Sequence, residues 1–217
     1  NSVSNDGDKP VITTNNQSYT FDAVLYATGR KANTANIGLE HTDIATNERG
    51  AIVVNDTCES SVPGVYAVGD VNGGPQFTYV SLDDFRIVFG ALTGNSQYTL
   101  KDRKNIPYTT FLTPPLSRVG LTEEDAINQG YTIKTKEMLV ATMPRAHVND
   151  YLKGAFKIVV DAENDLILGA TLYSQGAEEL INLIKMAMDN NIPYTYFKNQ
   201  IFTHPTMAEN LNDLCNF

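Results

Sequence analysis

Cysteine is scarce in this chain, and its scarcity excludes several kinds of site. The 217 residues include only two cysteines, Cys58 and Cys215, which lie far apart in the sequence. They provide neither the disulfide framework of a small secreted domain nor the CxxC pair of a metal or redox site. With three histidines and no Cys/His cluster, the sequence predicts no metal site. A reducing, cytoplasmic setting is therefore expected.

Basic residues are also few. The chain has 16 Lys and Arg against 25 Asp and Glu, which gives a formal net charge of -9. That balance argues against nucleic acid or an anionic membrane as a partner, because both are bound by patches of Lys and Arg. No apolar run approaches the length of a membrane span. Residues 1–6 lack the basic-then-apolar order of a signal peptide.

The patterns in the first hundred residues indicate part of an α/β sheet. Val11–Thr14 and Tyr19–Phe21 flank a polar turn at residues 15–18 and predict a hairpin. Ala23–Tyr26 and Val65–Val68 are short apolar runs that stop near a glycine. Such runs are typical of buried strands in an α/β sheet.

One helix is expected in this region, over Ser81–Leu92. Its apolar face is formed by residues three or four positions apart, namely Leu82, Phe85, Val88 and Phe89. The polar stretch Lys101–Asn105 then marks a domain boundary. We therefore expect residues 1–100 and 101–217 to form separate domains.

The second domain is expected to combine an antiparallel sheet with helices, an α+β arrangement. The segments with strand-like composition are Tyr108–Leu112, Lys136–Thr142, Ala155–Val160 and Leu166–Tyr173. A helix is predicted over Thr122–Gln129 with Thr122 as its N-cap. Another is predicted over Glu178–Asp189, where an apolar stripe includes Leu180 and Ile184, and a final helix begins at Pro205.

Four segments in a fixed order carry a family resemblance. They are residues 26–30 (Tyr-Ala-Thr-Gly-Arg), 65–70 (Val-Tyr-Ala-Val-Gly-Asp), 77–78 (Phe-Thr) and 204–209 (His-Pro-Thr-Met-Ala-Glu). Each alone is a weak signal, but the ordered set resembles the class I pyridine nucleotide–disulfide oxidoreductases, such as glutathione reductase and dihydrolipoamide dehydrogenase. Residues 77–86 and 201–204 look most like the bacterial reactive-chlorine-resistance group, which reduces hypothiocyanous acid.

The resemblance implies an α+β dimerisation domain preceded by the C-terminal remnant of an α/β FAD-binding domain. Two features of a working enzyme of that family do not occur in the sequence: the GxGxxG phosphate loop and the CxxxxC redox pair. We therefore expect a truncated piece of a parent enzyme that uses FAD and NAD(P)H. By itself this piece is expected to be inactive and to hold no FAD tightly, since most phosphate contacts come from the glycine-rich unit.

The resemblance also implies which residues contact FAD. Gly69 and Asp70 follow an apolar run, and the Asp70 carboxylate would accept a hydrogen bond from the ribitol of FAD. Thr28 and Gly29 would belong to the loop that closes over the FAD domain. Taken alone, Asp70 is better explained as a turn residue that caps the next segment.

Phe77 and Thr78 stand just before the predicted helix. In the family this helix start faces the flavin, where the partial positive charge of a helix N-terminus stabilises negative charge on the reduced ring. Ser81 as an ordinary N-cap, with no ligand, is the alternative.

His204 and Glu209 form the candidate acid/base pair. A disulfide reductase makes thiolates and needs a group that exchanges protons near neutral pH, as histidine does. The resemblance implies that His204 reaches the redox cysteine of the other subunit and that Glu209 orients its imidazole. Residues 206–209 also read Thr-x-x-Glu, a capping box, and we expect Glu209 to serve His204 instead. The family further implies cis bonds before Pro205 and Pro114.

The parent is thus expected to be a homodimeric flavoprotein. Electrons would pass from NAD(P)H through FAD and a cysteine pair to a disulfide or a hypothiocyanous-acid-like oxidant. Two other interpretations stay open: a non-catalytic dimerisation module that binds no flavin, and a related flavin reductase with one redox cysteine. The substrate and the choice between NADH and NADPH depend on residues outside this sequence.

Overall fold

A computed structural model describes residues 2–15 and 17–217 of the chain. The chain separates into two compact units, Asn1–Leu100 and Lys101–Phe217. Across the described ranges, no helix combines the length and the apolar character that a bilayer span requires.

The first unit begins with a three-stranded antiparallel sheet. Its strands are β1 (Ser2–Asp6), β2 (Lys9–Thr14) and β3 (Gln17–Thr20), with β2 in the centre. Strands β2 and β3 confirm the predicted hairpin, although Asn16 in its turn lies outside the described residues. Strand β1 is not evident from the sequence, because its residues are mostly polar and all exposed.

The two buried strands predicted for this unit are wrong. Ala23–Tyr26 has no regular secondary structure, and Leu25 and Tyr26 are 89% and 68% exposed. Val65–Val68 contributes only an isolated bridge between Glu59 and Tyr66. A strand is stabilised by hydrogen-bonded neighbours, and among residues 2–15 and 17–217 nothing pairs with the first of these segments.

Helix α1 runs over Thr78–Leu92 and confirms the predicted helix, which begins earlier than expected. Its packed face is formed by Val80, Asp84 and Ile87. The predicted apolar face instead points to solvent, and its residues Leu82, Phe85 and Phe89 are 50%, 55% and 57% exposed. The apolar spacing therefore predicts the helix but not the side that packs.

The second unit is built on a five-stranded antiparallel sheet, as the α+β prediction requires. Its strand order is β4-β5-β8-β7-β6, with β4 (Tyr108–Thr110), β5 (Leu116–Gly120), β6 (Ile133–Leu139), β7 (Ala155–Asp161) and β8 (Ile167–Tyr173). Strand β6 lies earlier than predicted, and residues 140–142 form a 3₁₀ turn instead.

Strand β5 is the element that the sequence does not reveal. It follows two prolines and is short, but it lies between β4 and β8 and buries Ser117 and Val119. Gly120 ends the strand with a φ of 70°, and a Cβ there would lie 2.2 Å from the carbonyl oxygen of Leu168. Glycine is thus required where β5 approaches β8.

Helices cover this sheet. They are α2 (Glu123–Asn128), α3 (Pro144–Val148), α4 (Ala177–Asp189), α5 (Tyr194–Asn199) and α6 (Asn210–Leu214). Thr122 caps α2 as predicted. Its Oγ1 accepts a hydrogen bond from the Asp125 N–H at 2.9 Å, and the Asp125 carboxylate accepts one from the Thr122 N–H. Helices α3 and α5 are too short to show a periodic pattern. The last helix begins at Asn210, not at Pro205.

One hydrophobic core lies between the sheet and helices α4 and α6. Phe156, Ile158 and Leu172 from the strands meet Ile184 and Leu211 from the helices, and all five are fully buried. The α4 stripe predicted from the sequence is the face that packs. Burial of large apolar side chains is the main stabilising contribution to such a unit.

Candidate functional site

A short 3₁₀ turn, Gly69–Asn72, carries the first group of candidate site residues. Gly69 has a φ of 74°, and a Cβ there would lie 2.7 Å from the Ser81 Oγ on α1. Only glycine therefore lets the turn pack directly against the helix.

A buried carboxylate on α1 holds the same turn. Asp84 is fully buried. Its Oδ2 accepts hydrogen bonds from the Gly69 N–H at 2.7 Å and from Asn72 Nδ2 at 2.8 Å. Sequence reasoning missed Asp84, because it lies off the predicted apolar face of the helix and next to a second acid, Asp83, which is typical of an exposed position. Only the packing of α1 shows that one of them is internal.

Asp70 points away from this contact and into solvent. Its side chain is 50% exposed, and its Oδ2 lies 3.5 Å from Arg30 Nη1. In the described part of the chain Arg30 is its side-chain partner, so the carboxylate does not cap the following segment. Arg30 also donates to the Gln76 carbonyl at 3.0 Å, which joins the loop of Thr28 and Gly29 to the turn. Both loop residues are exposed.

The start of α1 has no side-chain cap. Phe77 is the N-cap, with an extended backbone. Ser81 lies inside the helix and its Oγ donates back to the Phe77 carbonyl at 3.4 Å, so the alternative that Ser81 is the N-cap is wrong. Thr78 is the first helical residue, and burial raises the pKa of the neighbouring Tyr79 above its usual value.

These residues fit the flavin that the resemblance implies. Asp70 offers a half-exposed acceptor suited to a hydroxyl-rich chain such as ribitol. The uncapped N-terminus of α1, a 15-residue helix, offers partial positive charge. Gly69, Ser81 and Asp84 bring the two features onto one packed contact.

The second group of candidate residues lies just before α6. The His204 Nδ1 is 2.7 Å from Glu209 Oε2, and the two side chains are 69% and 17% exposed. The peptide bonds before Pro205 and Pro114 are both cis, as predicted. A carboxylate at Nδ1 holds the proton on that nitrogen, which leaves Nε2 of an exposed ring as the atom that takes up a proton.

Glu209 makes both of the contacts that the sequence presented as alternatives. Its Oε2 contacts His204, while its Oε1 accepts from the Thr206 N–H at 3.3 Å. Thr206 Oγ1 in turn accepts from the Glu209 N–H at 3.2 Å. A carboxylate has two oxygens with separate lone pairs, so the reciprocal bonds with Thr206 and the imidazole contact coexist. These bonds precede α6, whose N-cap is Glu209 itself. They hold the carboxylate in place beside the ring.

The segment around this pair is tied to the unit on both sides. Asn212 Nδ2 donates to the carbonyls of Phe197 at 2.7 Å and Gln200 at 2.9 Å. Lys136 Nζ on β6 donates to the Asp213 carbonyl at 2.7 Å, at the C-terminal end of α6. Cys215 is buried, and burial raises the pKa of its thiol to about 12. It is therefore a packing residue rather than a reactive thiol.

Comparison with known families decides what this arrangement belongs to. The family "pyridine nucleotide-disulphide oxidoreductase, dimerisation domain" matches residues 106–215. The family "pyridine nucleotide-disulphide oxidoreductase" matches residues 1–84. This chain belongs to the pyridine nucleotide-disulphide oxidoreductase family. The family assignment agrees with the resemblance in the sequence and with an α+β dimerisation domain following part of an FAD-binding domain.

Relatives within the family cover most of this chain. The probable pyridine nucleotide-disulfide oxidoreductase RclA of Escherichia coli is 49% identical over 193 residues, which are 89% of this chain and 44% of that protein. Mercuric reductase of Staphylococcus aureus is 35% identical over 190 residues, 88% of this chain and 35% of that protein. The chain thus spans less than half the length of these relatives.

Solved structures show the same fold. The HOCl-induced flavoprotein disulfide reductase RclA from Escherichia coli aligns with a TM-score of 0.92 at 44% identity, over 98% of this chain and 49% of that one. LpdA from Mycobacterium tuberculosis aligns with a TM-score of 0.88 at 22% identity, over 99% of this chain and 47% of that one. The second likeness concerns the fold alone.

Proposed function

We propose that this chain is part of a homodimeric flavoprotein that passes electrons from NAD(P)H through FAD and a cysteine pair to an oxidised substrate. The observation that carries the proposal is the exposed imidazole of His204 held at Nδ1 by Glu209. Such a pair suits thiol chemistry, where a proton must leave a thiol and return to sulfur. The substrate class is a disulfide, in keeping with the name of the RclA relative, or a hypothiocyanous-acid-like oxidant, as the resemblance in the sequence implies.

The residues of each unit take different parts. FAD, when bound, would supply two-electron transfer from a reduced nicotinamide to a cysteine pair. Asp70 would bind its ribitol, and the start of α1 at Thr78 would stabilise negative charge on its ring. Thr28, Gly29, Gly69 and Phe77 would shape the backbone around them. His204 Nε2 takes the proton of a redox thiol as it becomes a thiolate and returns it to the departing sulfur. Cys58 and Cys215 are buried, so we assign the redox pair to residues beyond this chain.

A fusion tests this proposal. In it, this chain replaces the matching residues of Escherichia coli RclA, so that the rest of the relative's length is supplied. The purified fusion should be yellow, with one flavin per chain, and should reduce a disulfide with NAD(P)H. His204→Ala should slow turnover about a hundredfold or more and leave flavin reduction in a stopped-flow experiment unchanged.

The matched control is His147→Ala, on an exposed histidine whose Nε2 lies 2.8 Å from the Ala141 carbonyl oxygen. It should leave turnover as in the wild-type fusion. A fusion without flavin, or a His204→Ala variant that turns over normally, would contradict the proposal.

We further propose that the chain by itself dimerises through its second unit and holds no FAD tightly. The match to a dimerisation domain covers residues 106–215, and within that range Ile201 is 95% exposed and Phe111 is 79% exposed. Light scattering at micromolar concentration should give a dimer, and the protein should be colourless. Ile201→Lys should weaken the dimer, whereas Leu25→Lys, at an equally exposed site of the first unit, should not. A monomeric wild-type chain supports neither the dimer nor its interface, and a yellow one refutes the weak FAD binding.

A non-catalytic dimerisation module remains the second candidate. The match of residues 106–215 to a dimerisation domain favours it independently of any flavin. The fusion separates the two, because a module that binds no flavin gives a colourless protein with no NAD(P)H-dependent activity.

A further inference from the structure

The turn that carries Asp70 is fixed by a carboxylate that does not itself face solvent. Asp84 lies on α1, is fully buried, and accepts through one oxygen from Gly69 N–H and from Asn72 Nδ2. These two donors are the first and last residues of the 3₁₀ turn Gly69–Asn72. Asp84 therefore holds the turn by hydrogen bonds to residues on both sides of Asp70.

Asn72 adds hydrogen bonds to the backbone on either side of the turn. Its Nδ2 also lies 3.3 Å from the Ala67 carbonyl oxygen, and its Oδ1 accepts from the Gly74 N–H at 3.0 Å. The residues before and after the turn are thus tied to the same side chain. One buried acid, through one amide, sets the path of the chain from residue 67 to residue 74.

We propose that Asp84 is a positioning residue for the flavin, acting through Asp70. The inference rests on the proposed flavin site and deepens it. With its turn held from the buried side, Asp70 can present its carboxylate to solvent and to Arg30 in one fixed orientation. Ligand groups are held best by residues whose own placement is locked by supporting hydrogen bonds.

Both donors converge on one oxygen of Asp84, and its negative charge strengthens both hydrogen bonds. Asp84→Asn keeps the size of the side chain but carries one carbonyl oxygen and an NH₂ that cannot accept. Charge-assisted bonds are the stronger class of hydrogen bond, so the neutral variant should release the turn. Asp83→Asn is the matched control, since Asp83 is its neighbour on α1 and lies 3.8 Å from Arg86.

The first measurement needs no flavin. Amide hydrogen exchange of the 217-residue chain should show faster exchange at Gly69 in Asp84→Asn than in the wild type or in Asp83→Asn. Unchanged protection of the Gly69 amide from exchange would show that the Asp84 hydrogen bonds do not hold the turn, and it would overturn the proposal. If Asp84→Asn does not fold, Asn72→Ala releases one side of the turn and should raise exchange at Gly74.

The second measurement is a double-mutant cycle of FAD affinity in the RclA fusion described above. Asp70→Asn and Asp84→Asn should each raise the dissociation constant about tenfold or more. The double variant should bind about as weakly as Asp70→Asn alone, because residues that act through one another are not additive. Thermal unfolding of each variant shows whether a loss of affinity merely follows a loss of stability.

The outcomes separate the two claims. If Asp70→Asn weakens FAD and Asp84→Asn does not, the positioning role is overturned and the flavin site stands. Fully additive effects also overturn it, because Asp84 would then act independently of Asp70. If neither variant changes the affinity of a yellow fusion, both the flavin role of Asp70 and its positioning by Asp84 are refuted.

Discussion

The two units differ in how much buried apolar packing supports their candidate site residues. In the second, strands β7 and β8 pack against α4 and α6, and side chains as large as Phe156 and Leu172 are fully buried. In the first, buried apolar residues are fewer and mostly small, and α1 exposes Phe85 and Phe89. The His204–Glu209 pair thus stands on a complete core, whereas the Asp70 turn is held by a few polar contacts. Stability is expected to differ between them accordingly.

The largest effect should come from emptying the core of the second unit. Phe156→Ala should lower the free energy of unfolding by about 3–5 kcal/mol, because it removes a fully buried ring and leaves a cavity. Leu25→Ala in the first unit should change it by less than about 0.5 kcal/mol, since that side chain is 89% exposed. Urea denaturation of both variants measures the contrast, and equal losses would break it.

The two cysteines report on local opening in the two units. Cys58 and Cys215 are both 0% exposed, one in each unit. A thiol reagent at neutral pH should label Cys58 first, because the first unit buries less apolar surface and opens more readily. Cys215 should react only on unfolding, since its pKa of about 12 also keeps it a thiol. The single variants Cys58→Ser and Cys215→Ser assign the signals, and earlier labelling of Cys215 would contradict the comparison.

A smaller effect should separate the two roles of Glu209. Thr206→Ala removes the hydroxyl that accepts from the Glu209 N–H and should lower stability by about 1 kcal/mol, with little change in turnover of the fusion. Glu209→Ala removes the bond to the Thr206 N–H and the imidazole contact together, so it should lower stability and also slow turnover, though less than His204→Ala. Thermal melts beside steady-state kinetics measure both. Equal kinetics for the Thr206 and Glu209 variants would mean that the imidazole contact has no catalytic part.

The smallest effect should be a dependence on pH that arises from Asp161 in the second unit. The Asn164 side chain and the Glu163 N–H donate to Asp161, and these bonds lower the pKa of its carboxyl. A lowered folded pKa stabilises the protein above the unfolded value of about 3.9, and that contribution is lost as the pH falls towards the folded value. Asp161→Asn should therefore flatten the loss of thermal stability below about pH 4. Asp22→Asn, at a 94% exposed side chain of the first unit, should not; identical curves for Asp161→Asn and the wild type would contradict the assignment.

Signals that lie within a few residues of one another determined much of this protein. The Thr122 cap of α2, the β7–β8 hairpin and the apolar stripe of α4 were all predictable, because each depends on local spacing. The contact of His204 with Glu209 and the cis bond before Pro205 were predicted from the family resemblance, since local spacing alone indicated a capping box. The family motifs fixed the order of the two domains that the comparisons confirm.

Tertiary structure alone decided the rest. Strand β5 exists because β4 and β8 pair with it, and the packed face of α1 is set by the turn beneath it rather than by its most apolar side. The sequence does not distinguish Asp84 from an exposed acid. Its burial is evident only from the hydrogen bonds that its Oδ2 accepts from Gly69 and Asn72. Burial and hydrogen bonding between distant segments depend on the packed chain, because the tertiary fold determines which residues a side chain contacts. The local sequence determines only the periodicity of apolar and polar residues.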